Sequence, residues 1–297
     1  MERAGLSQRM VVGYLGPPGT FSEQAALVYK RKFVVQAVSS MEVKLEPMDS
    51  ILSLILAADK GTLDKAVVPL ENSLEGSIAL TLDMLAHEVT VRITNEIIVP
   101  VRHNLLVKRD IPLVDIKEVI SHTQALGQCS AFLRKHLPQA KLTAVNSTAE
   151  AAQIVAATKT NEIAAIGTEV AAAVYGVSVL VGNIQDNSTN VTRFCVLSAT
   201  DAEATGDDKT SLVFSPKQNR AGILYELLYA FANRKIDLTR IESRPAKRIL
   251  GEYLFFIDIA GHRTEPAVAA ALQEVNAASS FFRLLGSYPR WRDDKGE

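Results

Sequence analysis

Polar segments that interrupt an otherwise apolar pattern carry most of the side chains in this sequence that could do chemistry. They are PGTFSEQ (Pro18 to Gln24), PLENSLEGS (Pro69 to Ser77), SHTQALGQ (Ser121 to Gln128), NSTAEAA (Asn146 to Ala152) and IQDNSTNVTRF (Ile184 to Phe194). Their functional groups are mainly neutral hydrogen-bonders: Thr20, Ser22, Asn72, Ser73, Ser121, His122, Gln124, Ser147, Thr148, Asn187, Asn190 and Thr192. Several stand where a helix would begin, so backbone N–H groups join them, and the combined set suits a small anion better than a metal or a phosphate chain. The letters GPPGT at Gly16 to Thr20 look like the opening of a phosphate loop. The second glycine of G-x-x-x-x-G-K-[ST] would fall on Phe21 and its lysine on Ser22, so ATP chemistry is excluded. The sequence has no His/Cys/Asp/Glu cluster at metal-ligand spacing, no G-x-S-x-G elbow and no GxGxxG. Metal, serine-hydrolase and dinucleotide chemistry therefore fall away, and no cofactor is expected.

Each segment also has a plainer reading. Ser22, Ser147 and Thr148 fit helix N-caps, and Asp186, Asn187 and Asn190 fit turns. Glu71 and Glu75 fit solvated loop charges, and His122 a satisfied loop histidine. Arg193 lies in a β-branched run, where a guanidinium needs a carboxylate partner or an exit to water. At this level both readings stay open.

The elements that must position these loops follow from periodicity. VVGYLG, KAVVPL, EVTVRI, EIIVPV, HNLLVK, KLTAVN, EIAAIG and NVTRFCVLS read as strands. Asp49 to Gly61, Ile78 to Glu88, Gln124 to Leu137 and Thr148 to Lys159 carry apolar residues at helical spacing. Alternating strand and helix implies α/β layers with mostly parallel sheets and helices on both faces, and in such sheets ligands sit outside the carboxyl ends of the strands. The polar, acidic stretch Ser198 to Thr210 separates this front part from a back part. The back part reads strand, helix, strand, strand, helix, strand, the ferredoxin-like order.

Composition narrows the class. The chain has 297 residues, room for two domains, and it is 47% hydrophobic and 22% charged, which allows a sizeable core. A formal net charge of -1 and the lack of a basic block give no general attraction for nucleic acid or an anionic membrane. Cys129 and Cys195 have no CxxC spacing and read as small buried apolar side chains in a reducing compartment. The start, MERAGLSQRMVV, lacks the apolar core of a signal peptide, and nothing is long and apolar enough to span a bilayer. A cytoplasmic location is expected.

Taken in order, GPPGTFSEQAA, PLENSLEGSIALTLDML, SHTQALGQCSAFL, STAEAAQIVA and NIQDNSTNVTRF closely resemble the prephenate dehydratase family. AGILYELL and IESRPAKR resemble the ligand motifs of the ACT domain that follows in that family, and the likeness runs from about Val11 to Tyr288. It implies a two-lobed, periplasmic-binding-protein-like catalytic domain over residues 10–200. Lobe one would take about 10–100 and 185–200, lobe two about 101–184, with a βαββαβ ACT domain over 209–290. It implies an enzyme of L-phenylalanine biosynthesis, a lyase that converts prephenate to phenylpyruvate. No helical segment precedes Met10, so a fused chorismate mutase is not expected. The family's catalytic threonine falls on Thr192. Thr20, Ser22, Asn72, Ser73, Ser121, His122, Gln124, Ser147, Thr148, Asn190, Arg193 and Phe194 would form the substrate site, with Arg193 or the helix start near Thr20 taking a carboxylate. The third motif departs from the family at Thr123, where proline is usual.

For regulation, the resemblance implies ACT domains that pair, in a homodimer or homotetramer, and bind L-phenylalanine. Asn219, Ala221, Gly222, Ile223, Leu224, Glu242, Ser243, Arg244 and Pro245 would supply that site. Two alternatives stand beside this reading. One is a sister enzyme acting on arogenate, with Glu71 as partner to the ammonium; the other is a non-catalytic small-molecule sensor on the same lobes.

Overall fold

The computed structural model describes residues 9–35, 41–246 and 252–292. The first eight residues of the leading segment, and Lys247 and Arg248 of IESRPAKR, lie outside the described residues. The chain begins β1 (Arg9–Leu15), α1 (Phe21–Tyr29), β2 (Glu42–Met48), α2 (Ile51–Asp59), β3 (Lys65–Asn72), a short β4 (Gly76–Ser77), α3 (Ala79–His87) and β5 (Arg92–Pro100). There follow β6 (Asn104–Val107), β7 (Glu118–His122), α4 (Thr123–Gln128), α5 (Ser130–His136), β8 (Lys141–Val145), α6 (Thr148–Ala157), β9 (Ile163–Gly167), α7 (Glu169–Tyr175), β10 (Ser178–Val181) and β11 (Val191–Ser198). The last elements are β12 (Asp208–Pro216), α8 (Ile223–Ala232), β13 (Leu238–Pro245), β14 (Tyr253–Ala260), α9 (Pro266–Ala278) and β15 (Ser279–Pro289). Among the described residues the sheets run β2-β1-β3-β11-β5 with β4 on β3, then β10-β6-β9-β7-β8, then β13-β14-β12-β15.

The elements depart from the sequence expectation in instructive places. The end of EVTVRI and most of EIIVPV form one strand, β5, which runs straight through Thr94 and Asn95 without a turn. The helix expected over Gln124 to Leu137 breaks at Cys129, just after Gly127, the poorest helix former of the segment apart from proline. The break is fixed from outside: Asp186 accepts the Ala131 N–H at 3.1 Å and the Ser130 hydroxyl at 3.0 Å. The expectation of mostly parallel pairing holds for β1 with β2 and for β7 with β8 and β9, but β6 pairs antiparallel to both β9 and β10.

Contacts group the chain into two compact units: Met1–Leu54, Val67–Ile78 and Ile97–Phe194 in one; Ile55–Ala66, Ala79–Glu96 and Cys195–Glu297 in the other. In the first unit, the alternation of side chains along the strands gives the second sheet two buried faces. Leu105, Val107, Val119, Ala164 and Ile166 point to the side of Cys129 and Leu133. Leu106, Ile120 and Ala165 point to the side of Ala151, Val155 and Ala171. Helices thus cover both faces, as the near-continuous apolar runs require.

In the second unit, α8 and α9 pack on one face of the β13-β14-β12-β15 sheet through Leu212, Phe214, Phe231, Ile257, Val268 and Val275. The sheet is the βαββαβ arrangement expected of the back part. Its other face meets β5 so closely that a glycine is required: Gly286 has φ +150°, and a Cβ there would stand 2.2 Å from the Ile93 carbonyl oxygen. Gly286→Ala must therefore displace backbone, and it should destabilise the protein by about 3 kcal/mol or more in urea unfolding. Gly61→Ala, with φ +73° but open space around it, should cost only about 1 kcal/mol.

Candidate functional site

The loops singled out by residue type surround a cavity of about 810 Å³ in the first unit. Its walls come from the carboxyl end of β1 and the start of α1 (Leu15, Gly16, Thr20, Phe21, Ser22), the end of β3 (Asn72, Glu75), and the β7–α4 corner (His122, Gln124, Gln128). The β8–α6 turn (Asn146, Ser147, Thr148, Glu150), Val101, His103 and Thr192 also contribute to the lining. Loops from both sheets of this unit therefore converge on one cavity, at the strand ends where α/β sheets place ligands.

Local chemistry explains how each loop is held. Thr20 caps α1, its Oγ1 accepting from the Glu23 N–H at 3.3 Å, while Glu23 Oε2 accepts from the Gly19 N–H at 2.5 Å. Ser147 caps α6 through the Glu150 N–H at 2.9 Å, and Glu150 reaches back to the Asn146 N–H at 2.8 Å. Both are reciprocal caps of the S/T-x-x-E kind. His122 caps α4, Nδ1 accepting from the Gln124 N–H at 3.3 Å, so the turn forms without the proline that Thr123 replaces. The Gly19 backbone, at φ +91°, lies against α7, where a Cβ would come within 2.9 Å of Ala171 Cα. Thr168 Oγ1 donates to the Gly19 carbonyl at 2.7 Å and the Tyr175 hydroxyl to the Pro18 carbonyl at 2.8 Å. The Gly/Pro turn is thus latched to the second sheet.

One hydrogen-bonded network runs along the cavity wall. Asn72 Oδ1 accepts the Leu74 and Glu75 N–H groups at 2.9 and 3.0 Å. Asn72 Nδ2 then donates to Thr192 Oγ1 and to Asn190 Oδ1, both at 2.9 Å. Asn190 Oδ1 also accepts from Ser73 Oγ at 3.3 Å, and its Nδ2 donates to Gln128 Oε1 at 3.4 Å. The His103 Nε2 lies 2.9 Å from the same Gln128 oxygen.

Of the residues expected at a substrate site, Thr20, Ser22, Asn72, His122, Gln124, Ser147, Thr148 and Thr192 line the cavity. Ser73, Ser121, Asn190, Arg193 and Phe194 are not part of its lining. Ser73 and Asn190 stand one bond behind it. Ser121 is fully buried and donates to the Ile166 carbonyl at 2.7 Å, because alternation along β7 turns it inward beside Val119. Phe194 is buried in the core. Arg193 has a carboxylate nearby, Glu71, at 3.8 Å, which satisfies the requirement read from its β-branched setting. Asn187 is a turn residue that accepts the Thr189 N–H at 2.8 Å.

The structure adds lining residues that were not singled out from sequence, His103, Gln128, Asp49, Glu150 and Gln153, and it places Glu75, read there as a solvated loop charge, in the lining as well. Gln128 ends a quoted segment, but His103 follows a strand in an apolar run and carries no local signal. Burial draws the His103 imidazole pKa down, against a smaller upward pull from Gln128, so the neutral ring is favoured. Cys129, next to Gln128, is no nucleophile: burial first, then Asp186, pushes its thiol up to about 12. Among the described residues that line the cavity there is no lysine or arginine, and no group of His, Cys, Asp or Glu among the described residues could hold a metal ion.

In the second unit, Asn219 to Leu224 form the turn into α8, with Gly222 at φ +81°, and Glu242 to Pro245 lie on β13. Arg244 sits 3.6 Å from Asp83 of α3 and 4.0 Å from Glu242. No helix among the described residues is long and apolar enough to cross a membrane.

The family model for prephenate dehydratase matches residues 12–202, and that for the ACT domain matches residues 217–277. The chain is 38% identical over 285 residues to the bifunctional chorismate mutase/prephenate dehydratase of Aquifex aeolicus, covering 96% of this chain and 75% of that one. It is 37% identical over 278 residues to a prephenate dehydratase of Methanocaldococcus jannaschii, covering 93% and 97% respectively. A crystal structure of prephenate dehydratase from Arthrobacter aurescens in complex with L-Phe is similar at a TM-score of 0.82 and 37% identity, over 95% of this chain and 90% of that one.

The network gives Asn72 a structural role. Asn72→Ala would leave the Leu74 and Glu75 N–H groups and Asn190 Oδ1 short of partners, and should cost about 2–4 kcal/mol in urea unfolding.

Proposed function

The chain belongs to the prephenate dehydratase family and carries an ACT domain, and from that premise we propose how the cavity performs the reaction. The overall change is loss of water and carbon dioxide from prephenate to give phenylpyruvate. The electrons of the bond to the departing carboxylate move through the ring, the ring C–O bond breaks, and the oxygen leaves as water once it has gained one proton. Aromatisation drives the change, so the protein has to orient the substrate and supply a donor to the leaving oxygen.

The observation that carries this reading is the 2.9 Å bond from Asn72 Nδ2 to Thr192 Oγ1. A hydroxyl that accepts a hydrogen bond from a fixed amide keeps its own hydrogen for a further partner and is polarised toward donating it. We assign that partner as the departing ring oxygen. Positioned donors of this kind contribute about 10²–10⁴-fold. With no guanidinium or ammonium among the described residues of the lining, the substrate carboxylates fall to the N–H groups that open α1 at Phe21 and Ser22 and α6 at Thr148, and to the amides of Gln124 and Gln128. Ser73 and Asn190 act behind Asn72 and Thr192; Ser121 and Phe194 support the wall; Arg193 acts on Glu71.

The division into a two-lobed catalytic domain over about 10–200 and an ACT domain over about 209–290 belongs to the same reading, as does a cytoplasmic location. L-phenylalanine would bind at Asn219 to Leu224 and Glu242 to Pro245. Self-association as a dimer or tetramer is supported by exposed Tyr225, Tyr229, Ile241 and Tyr253 in the ACT part and by the edge position of β13.

Assayed by phenylpyruvate formation, Thr192→Ala should lose at least about a hundredfold in kcat while keeping its melting temperature, and Thr192→Ser should keep most activity. Turnover of arogenate alone would reassign the substrate; Glu71, the ammonium partner expected from sequence, lies outside the lining beside Arg193, so Glu75 and Asp49 would take that part. No turnover of either compound by folded protein would favour a sensor. L-phenylalanine should raise Tm of the full chain with increasing concentration, and D-phenylalanine should not.

A further inference from the structure

We propose that His103 is a positioning residue that acts through Gln128. As its neutral Nε2–H tautomer it holds the Gln128 carboxamide oxygen away from the substrate, so that the Gln128 NH2 group faces the cleft as a donor. The activity arm of this inference rests on the prephenate reading above; the tautomer itself does not.

The polarity of the network is set from one end by groups that cannot be reversed. The Leu74 and Glu75 N–H groups are backbone donors, so the Asn72 atom they meet must be its oxygen. Asn72 therefore presents its NH2 to Asn190, and the Asn190 atom that receives it must be an oxygen. The other Asn190 group, its NH2, then points to Gln128, which must answer with Oε1. A histidine nitrogen 2.9 Å from that same oxygen has to be N–H. Two side-chain carboxamides, free in principle to flip, are thus ordered in series by two peptide groups, and the imidazole closes the series.

The other ring nitrogen agrees with this assignment. His103 Nδ1 is buried and has no hydrogen-bond partner. In the neutral Nε2–H form it is a bare acceptor, whose isolation costs less than that of a buried N–H bound to a charged ring. Burial lowers the imidazole pKa and favours the same neutral form. The opposite tautomer would set a lone pair against Gln128 Oε1. It would turn the Gln128 NH2 toward the imidazole, leave Asn190 Nδ2 facing a donor, and present an oxygen to a substrate whose own groups are mostly acceptors. The His103 backbone N–H donates to Gln185 Oε1 at 3.0 Å, which holds the main chain, and the ring itself makes an edge-on contact with Phe21, ring centroids 5.5 Å apart.

A double-mutant cycle tests the linkage. His103→Leu should lower kcat/KM for prephenate about ten- to a hundredfold, and His103→Gln, which can still donate to Gln128, should restore much of it. In a Gln128→Leu background, His103→Leu should have an effect of less than about threefold, whereas in a Thr192→Ala background its effect should persist. Full, independent losses in the Gln128→Leu background would overturn the proposal and make His103 a packing residue. Nitrogen-15 NMR of histidine-labelled full-length protein gives a readout free of activity. A neutral Nε2–H signature for His103 at neutral pH supports the proposal, and an Nδ1–H or imidazolium signature overturns it. If the wild type fails to turn over prephenate while showing the Nε2–H signature, the substrate reading falls and the assignment of the network stands.

Discussion

The Asn72 carboxamide oxygen sits on two successive backbone N–H groups, at 2.9 and 3.0 Å, and the direction of the side-chain bonds from Thr192 and Asn190 to Gln128 and His103 follows from that contact. Side-chain amides and imidazoles are reversible elements; a network made only of them has alternative states close in energy. Peptide N–H groups are irreversible. Anchoring one end of the network on the turn after β3 removes the degeneracy and makes Thr192 Oγ1 an acceptor toward Asn72, the arrangement that the donor role proposed above requires. The Asn72 turn is itself tied across the sheet, since the Ser73 N–H bonds to the Val191 carbonyl at 2.9 Å and the Val191 N–H returns to Ser73 Oγ at 3.0 Å. Chemistry and strand pairing are therefore one construction at this corner.

The same economy holds at the end of the neighbouring strand. The β1–α1 turn must deliver free helix N–H groups to the cleft, yet it consumes some of its own polar groups in holding its shape. Glu23 takes the Gly19 N–H and also accepts the Tyr14 hydroxyl at 3.3 Å, while Thr20 bonds the Leu15 carbonyl at 3.0 Å. What remains unclaimed lies at the first helical positions, facing the cavity. The positive φ of Gly19 and its close approach to Ala171 show why this turn carries glycine without being a phosphate loop: the close partner is α7, not a nucleotide.

Much of this was legible from residue types because strand-end loops rich in Ser, Thr, Asn and Gln leave a clear mark in an apolar α/β pattern. Thr20, Ser147 and His122 were visible as loop polar residues, and the structure makes each of them a cap. Legibility failed where a residue's role depends on a partner remote in sequence. Ser121 reads as a site residue from its motif, but the pleat of β7 turns it toward Ile166. His103 reads as nothing, because its significance is conferred by Gln128, whose neighbour Asn190 lies 62 residues further along the chain. The break at Cys129 escaped for the same reason, since Asp186, 55 residues beyond Ala131, fixes it. Periodicity reports which face a residue occupies; it does not report what stands opposite.

The charge of the cleft bears on the second half of the reaction. A carboxylate that leaves as neutral carbon dioxide must be bound, but each favourable contact to its negative charge in the ground state opposes departure. A cavity lined by an arginine or lysine would hold a dicarboxylate tightly and resist losing one of its two charges. This lining has Asp49, Glu75 and Glu150, with neutral amides and hydroxyls, and the nearby guanidinium of Arg193 is directed to Glu71. In the proposed mechanism, helix N-termini supply partial positive charge of about half a unit each, enough to orient a carboxylate without neutralising it. The acidic neighbours then weigh against the charged ground state and cease to do so as the charge disperses into the ring. On that proposal the same loops set the binding and the release of charge, and the electrostatic balance favours the form that has lost its carboxylate.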